Sequence, residues 1–229
     1  MTSVDEAVQM SVEQAIVERR SVRGFLDRPV PAETLLKLFE LAQRAPSNCN
    51  TQPWHALVAS GKTRDRIRDA MIDNIKKGVA PNPDYEGPPR FESLYRRRQI
   101  DCAVALYNEM GITREDVEGR KRAALRNFEL FDAPHVAFFG MHKAFGSSVA
   151  IDVGIYLQTV MLAMTAAGIS SCPQGSMRNY PDIVRAEFGV GEEIRILAGL
   201  SFGYEDTSVP ANRTRISRAD LSENVIFKD

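Results

Sequence analysis

The residues from Ala150 to Ile169 form the most apolar stretch of the chain. Their pattern predicts one helix from Ala150 to Ala167, closed by Gly168, a residue suited to the left-handed turn that ends helices. That helix is apolar nearly all round, so burying a single stripe does not satisfy it. It needs apolar neighbours on every side, supplied by the core of a large domain or by a subunit interface. Asp152, Gln158 and several small residues interrupt the stretch, which favours a buried protein helix over a membrane span.

The other elements are arranged around this requirement. Ser11-Val12-Glu13-Gln14 has the spacing of a capping box, with Val12, Ala15 and Ile16 on one helical face. Pro31 to Arg44 reads as a second helix, with Leu35, Leu38, Phe39 and Ala42 at helical spacing and Pro46 as its stop. Trp54 to Ala59 reads as a strand and Thr63 to Lys77 as an amphipathic helix. Gly78 to Arg90 carries Pro81, Pro83, Gly87, Pro88 and Pro89, a loop composition. Residues 90 to 128 read as polar helices broken near Gly111, with Thr113 as the candidate cap. His135 to Gly140 and Ile194 to Phe202 read as buried strands. Helices come first, then strands separated by helices, which predicts an α+β fold. The expected organisation is a single domain over 1–229, with a helical insertion or lid at about 78–130. A polar C-terminal arm at about 204–229 ends in Val225-Ile226-Phe227, an apolar tip suited to docking on another subunit.

Charge excludes some functions. Lys plus Arg number 29 and Asp plus Glu 30, a net charge of -1, which argues against a nucleic-acid binder or a polybasic membrane binder. The three cysteines, Cys49, Cys102 and Cys172, form no Cys-x-x-Cys pair. A disulfide framework or cysteine zinc site is therefore not expected, and a reducing, cytoplasmic setting is. Met1 to Met10 carries Asp5 and Glu6 and no apolar run, unlike a signal peptide.

Common catalytic motifs are missing. Ser60-Gly61-Lys62-Thr63 has Ala56 where a phosphate loop needs its first glycine, and reads as strand, turn and helix start. Gly189-Val190-Gly191 is followed by Glu192 and Glu193, which would repel a phosphate. His55, His135 and His142 show no ligand spacing, so no metal is expected, and His135 and His142 read as satisfied structural histidines. No Gly-x-Ser-x-Gly elbow occurs.

Four other segments carry usable chemistry. Arg19-Arg20-Ser21-Val22-Arg23 and Asn212-Arg213-Thr214-Arg215 are basic clusters. Each reads either as a solvated face favourable to a helix C-terminus or as half of a phosphate site, for which guanidinium forks are suited. Ala45-Pro46-Ser47-Asn48-Cys49-Asn50-Thr51-Gln52-Pro53-Trp54 is a turn by composition, yet its side-chain amides also match the mixed donor and acceptor edge of a heterocycle. Ser170-Ser171-Cys172-Pro173-Gln174-Gly175-Ser176 has small residues that let backbone N–H groups approach a ligand.

In this order the four segments resemble the FMN-dependent nitroreductase family, from near residue 11 to about 216. The nearer likeness is to its nitrobenzoate and nitroaromatic reductase branch. The resemblance implies an α+β fold with a mixed sheet wrapped by helices, built as an intertwined homodimer with FMN at the subunit interface. It implies that Arg19, Ser21, Arg213 and Arg215 hold the FMN phosphate and that Arg20 lies beside the ribityl chain or ring. Arg23 would sit near the N1–C2=O edge. Pro46, Ser47, Asn48, Asn50 and Gln52 would line the ring from the other subunit. Pro173, Gln174 and Gly175 would flank N5; many relatives carry an acid in this run, where this chain has Gln174.

No side-chain nucleophile is implied, because the flavin carries the hydride chemistry. NAD(P)H would be the co-substrate and a small aromatic acceptor, a nitroarene, would bind over the same ring face in a ping-pong cycle. Tyr85, Phe91, Tyr95, Phe128 and Phe131 are candidates for an aromatic lid on that acceptor, or simply pack the insertion. The alternatives are a quinone, enone or free-flavin reductase, a reductive dehalogenase, a flavin-degrading enzyme, a non-catalytic FMN-binding protein, or a nucleotide-phosphate module without flavin.

Overall fold

Every residue from His135 to Met141 is buried, so this strand must be covered on both faces. The computed structural model describes residues 10–87 and 90–229. Met1 to Gln9, where no signal peptide is expected, and Pro88 and Pro89 of the proline-rich loop lie outside the described residues.

In chain order the elements are α1 (Val12–Glu18), α2 (Ala32–Ala42), β1 (Trp54–Ser60), α3 (Gly61–Lys76), α4 (Ser93–Glu109), α5 (Val117–Leu125), β2 (His135–His142), α6 (Ala150–Ala166), β3 (Ser170–Gln174), α7 (Pro181–Phe188) and β4 (Ile194–Gly203). The sheet runs β1-β2-β4-β3, and all three strand pairings are antiparallel. The parallel component of the expected mixed sheet is reduced to one bridge, Ser21 to Ser171.

Alternate side chains of β2 feed two cores. Ala137, Phe139 and Met141 face α2 and α6, whereas Val136 and Phe138 face α3 and α7. On β4 the phase reverses: Ile194 and Ile196 belong to the second core, but Leu200 and Phe202 to the first. The cause is a bulge. Phe139 pairs with Ala198 and Gly140 with Ile196, so Leu197 is an extra residue that shifts the side-chain parity by one. Gly140 is required there, because a Cβ would lie 2.5 Å from the Arg195 carbonyl oxygen.

The capping box at Ser11 forms as expected, with Ser11 Oγ accepting the Gln14 N–H. Two local expectations are corrected. The α5 cap is Asp116, whose carboxylate accepts the Gly119 N–H, and not Thr113. The acid is the stronger acceptor and also suits the helix dipole. Val12 and Ile16 are exposed, and only Ala15 of the expected α1 face is buried. β3 and α7 were not legible. Ser-Ser-Cys-Pro-Gln lacks strand alternation and is extended through its pairing with β4, on the sheet edge where Pro173 is tolerated.

His135 is the satisfied histidine its sequence context suggests. Its Nε2 accepts the Val30 N–H at 2.8 Å, so Nδ1 carries the proton and donates to Ser60 Oγ at 2.5 Å. Burial, helped by Arg64, lowers its pKa from 6.5. The unfolded chain then binds a proton that the folded chain refuses. Stability from this site is full above pH 6.5 and is lost as pH falls toward the folded pKa. The expected result is a thermal midpoint that declines from pH 7 to pH 5, with a shallower decline in His135→Gln, read by calorimetry.

The helix Ser147–Ala166 is long and apolar enough to cross a membrane, with a mean hydropathy of 1.6. In the fold it is a packing helix: Val153, Tyr156, Val160 and Met164 are buried against the sheet. Burial is one-sided, however. Ile151, Gly154, Ile155 and Gln158 are exposed at helical spacing, leaving an apolar stripe uncovered.

Candidate phosphate and flavin site

After α1 the chain becomes extended and lies along the outer edge of β3, where the Val22 N–H donates to the Ser171 carbonyl at 3.1 Å. Alternation turns Val22 inward to Phe25, Phe131, Ala133 and Cys172, and Ser21 and Arg23 the other way. Farther on, Leu26 donates to the Tyr204 carbonyl at 2.9 Å. Gly24 meets Val209 so closely that a Cβ would lie 2.5 Å from its Cγ2. This contact brings the 3-10 turn Pro210–Arg213 onto the arginine segment.

The two basic clusters therefore meet, although they lie almost two hundred residues apart in sequence. They line a cleft of about 560 Å³ that contains Arg19, Arg20, Ser21, Arg23, Arg215 and Arg218. Glu18 is its acidic member, and Cys102 reaches it from α4. Among the described residues, Arg19, Arg23 and Arg215 form no ion pair. Arg23 makes one long bond to the Ser21 carbonyl at 3.4 Å, and Arg215 bonds to the carbonyls of Asn212 and Thr214 at 2.9 and 3.1 Å. Their charge is left for an anion. Arg20 differs: it pairs with Glu205 and donates to the Asn212 carbonyl at 3.1 Å. Arg213 is turned to Glu109 of α4 at 3.1 Å, and does not line the cleft.

Beneath the cleft, burial pushes the Cys172 thiol up; Arg23, a hydrogen bond with Ser21, and Arg19 oppose the shift in that order. Cys172 is thus a neutral thiol beside the cations. Ser171 Oγ and Ser176 Oγ, at the two ends of the β3 run, are buried without a partner among the described residues. Gly175 between them is exposed. Gln174 points the other way. It is buried, its Nε2 donates to the Asn127 carbonyl at 2.8 Å, and its Oε1 accepts from Ser201 at 2.5 Å. Its amide is spent inside the fold, so Pro173-Gln174-Gly175 offers a ligand its backbone.

The amide-rich loop lies elsewhere on the chain. Gln43, just after α2, accepts from Trp54 Nε1 at 3.1 Å, and Trp54 stacks on Tyr156 of α6 at 4.7 Å. These contacts fix both ends of the loop. Within it Cys49, Asn50 and Gln52 have φ of 49°, 56° and 47°, left-handed values that cost non-glycine residues about 1–3 kcal/mol each. The Asn48 N–H bonds to the buried Asp152 carboxylate at 3.1 Å, and the Gln52 N–H bonds to Ser47 Oγ at 2.9 Å. Pro46, Asn48, Asn50 and Gln52 are exposed and Ser47 is half-buried; none of them lines the arginine cleft of the same chain.

The five aromatic lid candidates are not brought together. Phe128 packs on Tyr180 at 6.1 Å, and Phe131 is buried with Cys172. Tyr85 packs against the first core, and Phe91 and Tyr95 are exposed. Burial raises the Tyr85 phenol, whose oxygen has no partner among the described residues. Helix α4 is tied to the C-terminal residues instead: Arg98 pairs with Glu223 at 2.8 Å, as Arg213 does with Glu109. Among the described residues, no group of metal-ligating side chains occurs.

Sequence reading passed over Arg218, Ser171 and the role of Asn212. Arg218 follows Arg213 and Arg215 in the same basic segment. The other two become visible only when the chain is folded, since nothing in a lone Ser or Asn marks it as buried.

Comparison with known proteins bears on the same residues. The nitroreductase family profile matches residues 16–204, which takes in the first arginine cluster, the amide-rich loop and β3. The chain is 42% identical over 219 residues to nitroreductase NfnB of Mycolicibacterium smegmatis, covering 95% of this chain and 92% of that one. It is 33% identical to the chloronitrobenzene nitroreductase of Comamonas testosteroni, covering 94% and 96%. The crystal structure of the FMN-dependent nitroreductase NfnB from Mycobacterium smegmatis, in complex with NADPH, superposes with a TM-score of 0.90 at 41% identity, over 95% of this chain and 97% of that one. A profile match across most of the chain, full-length relatives and a shared backbone agree: the chain belongs to the nitroreductase family.

Proposed function

We propose that this chain is an FMN-dependent NAD(P)H oxidoreductase that reduces nitroaromatic compounds. The observation that carries the reading is the convergence of Arg19, Ser21 and Arg215 on one cleft, with both guanidinium groups free of carboxylates among the described residues. The residues fit a flavin mononucleotide. The cleft offers cations for a phosphate monoester, and beside it on the Ser170–Ser176 segment Gly175 is exposed and the buried hydroxyls of Ser171 and Ser176 have no partner among the described residues. The similar proteins support the chemistry, being named as nitroreductases, with one described as FMN-dependent and bound to NADPH.

In this reading Arg19, Ser21 and Arg215 hold the phosphate. Arg23 places a fixed cation at the N1–C2=O edge, where it stabilises negative charge that develops on reduction. The backbone of Pro173-Gln174-Gly175 approaches N5 and orients the ring. FMN would supply hydride transfer from NAD(P)H to the acceptor. Arg20 joins the two basic segments through Glu205 and Asn212. Pro46, Ser47, Asn48, Asn50 and Gln52 reach the ring of a partner's site, which makes the working unit a homodimer. The free cysteines, with Cys49 exposed, suit a cytoplasmic setting.

The test is the visible spectrum of the purified protein. A yellow flavin band should bleach on anaerobic NADPH or NADH and return when a nitroarene is added. A colourless protein that takes up no FMN would sink the reading. Bleaching without recovery on nitroarenes, but with recovery on quinones, would replace the acceptor.

A further inference from the structure

Asn212 is buried in the seam between the two basic segments, and every polar group it has is used. Its Oδ1 accepts the backbone N–H of Arg23 at 2.6 Å. Its Nδ2 donates to the carbonyls of Gly24 and Asp206 at 2.9 and 2.8 Å. Its N–H donates to the Val209 carbonyl at 3.0 Å. Its own carbonyl receives two guanidinium groups, Arg20 at 3.1 Å and Arg215 at 2.9 Å. One residue thus ties down the backbone of Arg23 and the side chains of Arg20 and Arg215.

The chemistry requires this residue type. One acceptor and two donors on a short stem are the inventory of asparagine. Aspartate keeps the acceptor for Arg23 but sets an oxygen against two carbonyls. Alanine leaves those carbonyls and the Arg23 N–H without partners in a buried place, the costly half of losing a hydrogen bond. The arginines need such a tie because free guanidinium side chains would lose rotamer entropy on meeting an anion.

We propose that Asn212 is a positioning residue that pre-aligns Arg23 and Arg215, and so sets both the affinity of the cleft for a phosphate monoester and the charge presented to the ring edge. The proposal rests on the flavin reading for its second half only. Asn212 touches no ligand; it acts through the two arginines.

The experiment uses full-length wild type, Asn212→Ala and Asn212→Asp, each checked for wild-type far-UV circular dichroism and oligomeric state. Inorganic phosphate, read as a thermal shift of the apo-protein, and FMN, read by fluorescence quenching, are the probes. The expected result is FMN binding weakened by about 10–100-fold in Asn212→Ala, with the phosphate shift lost. The bound flavin should also show a more negative reduction potential, since Arg23 is no longer held in place; a purely structural role would not move that potential. Should Asn212→Ala fail to fold, Asn212→Gln, an uncharged amide on a stem one methylene longer, takes its place, whereas Asn212→Asp keeps the acceptor for Arg23 and tests the hold on the Gly24 and Asp206 carbonyls. Wild-type affinity and potential in a folded variant would overturn the proposal. A wild type that binds phosphate but not FMN would overturn the flavin reading alone, and a wild type that binds neither would overturn both.

Discussion

Replacing Arg19 and Arg215 together with alanine should strip the protein of FMN while leaving the fold intact. Each guanidinium lines the cleft and forms no ion pair among the described residues. A charge-assisted hydrogen bond to an anion contributes about 1.5–3 kcal/mol. Losing two such interactions should cost about 3–6 kcal/mol, or roughly 10²–10⁴-fold in affinity. Fluorescence titration of FMN reads the loss. The fold should survive because neither side chain fills a core: Arg215 is exposed and Arg19 half-buried. The comparison that gives the experiment its force is Arg213→Ala. Arg213 is turned to Glu109, away from the cleft, so its removal should change FMN affinity by less than the removal of either cleft arginine. FMN affinity unchanged in the double variant would refute the phosphate assignment. Loss equal to the double variant in Arg213→Ala would mean that Arg213 turns inward when phosphate binds.

That contrast between Arg213 and Arg215 shows where sequence reading stops. α2 and α3 were legible from apolar residues at helical spacing, and α6 and β2 from continuous apolar runs of helix and strand length. β3 was not, because its five residues become a strand only through pairing with β4. The site was legible in outline for a different reason: Arg, Ser, Asn and Gln at unusual density stand out against turn and helix composition. Which arginine faces the cleft cannot be read from the string Arg-Thr-Arg. It depends on Glu109, which folding places beside Arg213, and on the local turn that carries the Arg215 guanidinium back to the Asn212 carbonyl. The aromatic candidates show the same limit from the other side. Phe128 and Phe131 are needed by two separate cores, and a large apolar side chain in an insertion carries no signal that separates packing from binding.

The uncovered stripe on α6 yields the second large effect. If the proposed homodimer forms through this stripe, Ile151→Glu with Ile155→Glu should convert it to monomers and abolish FMN binding at the same time. Ile151 is 66% exposed and Ile155 37%, on a helix whose opposite face is buried against the sheet. Asp152, next to Ile151, accepts the Asn48 N–H, which ties the strained loop to the first turn of α6. That loop lines no part of its own chain's arginine cleft. In the proposed homodimer a second copy docked on the stripe brings its loop to the first copy's cleft, and the residues expected around one ring would then come from two chains. A carboxylate forced into an apolar interface costs several kcal/mol after relaxation. Two on each protomer should therefore raise the dissociation constant by about 10⁴-fold or more. Sedimentation velocity would report the monomer and absorbance the flavin. Retained dimers with lost flavin would locate the partner's contact elsewhere. Monomers that still bind FMN at wild-type affinity would show that the amide-rich loop takes no part in holding the ring.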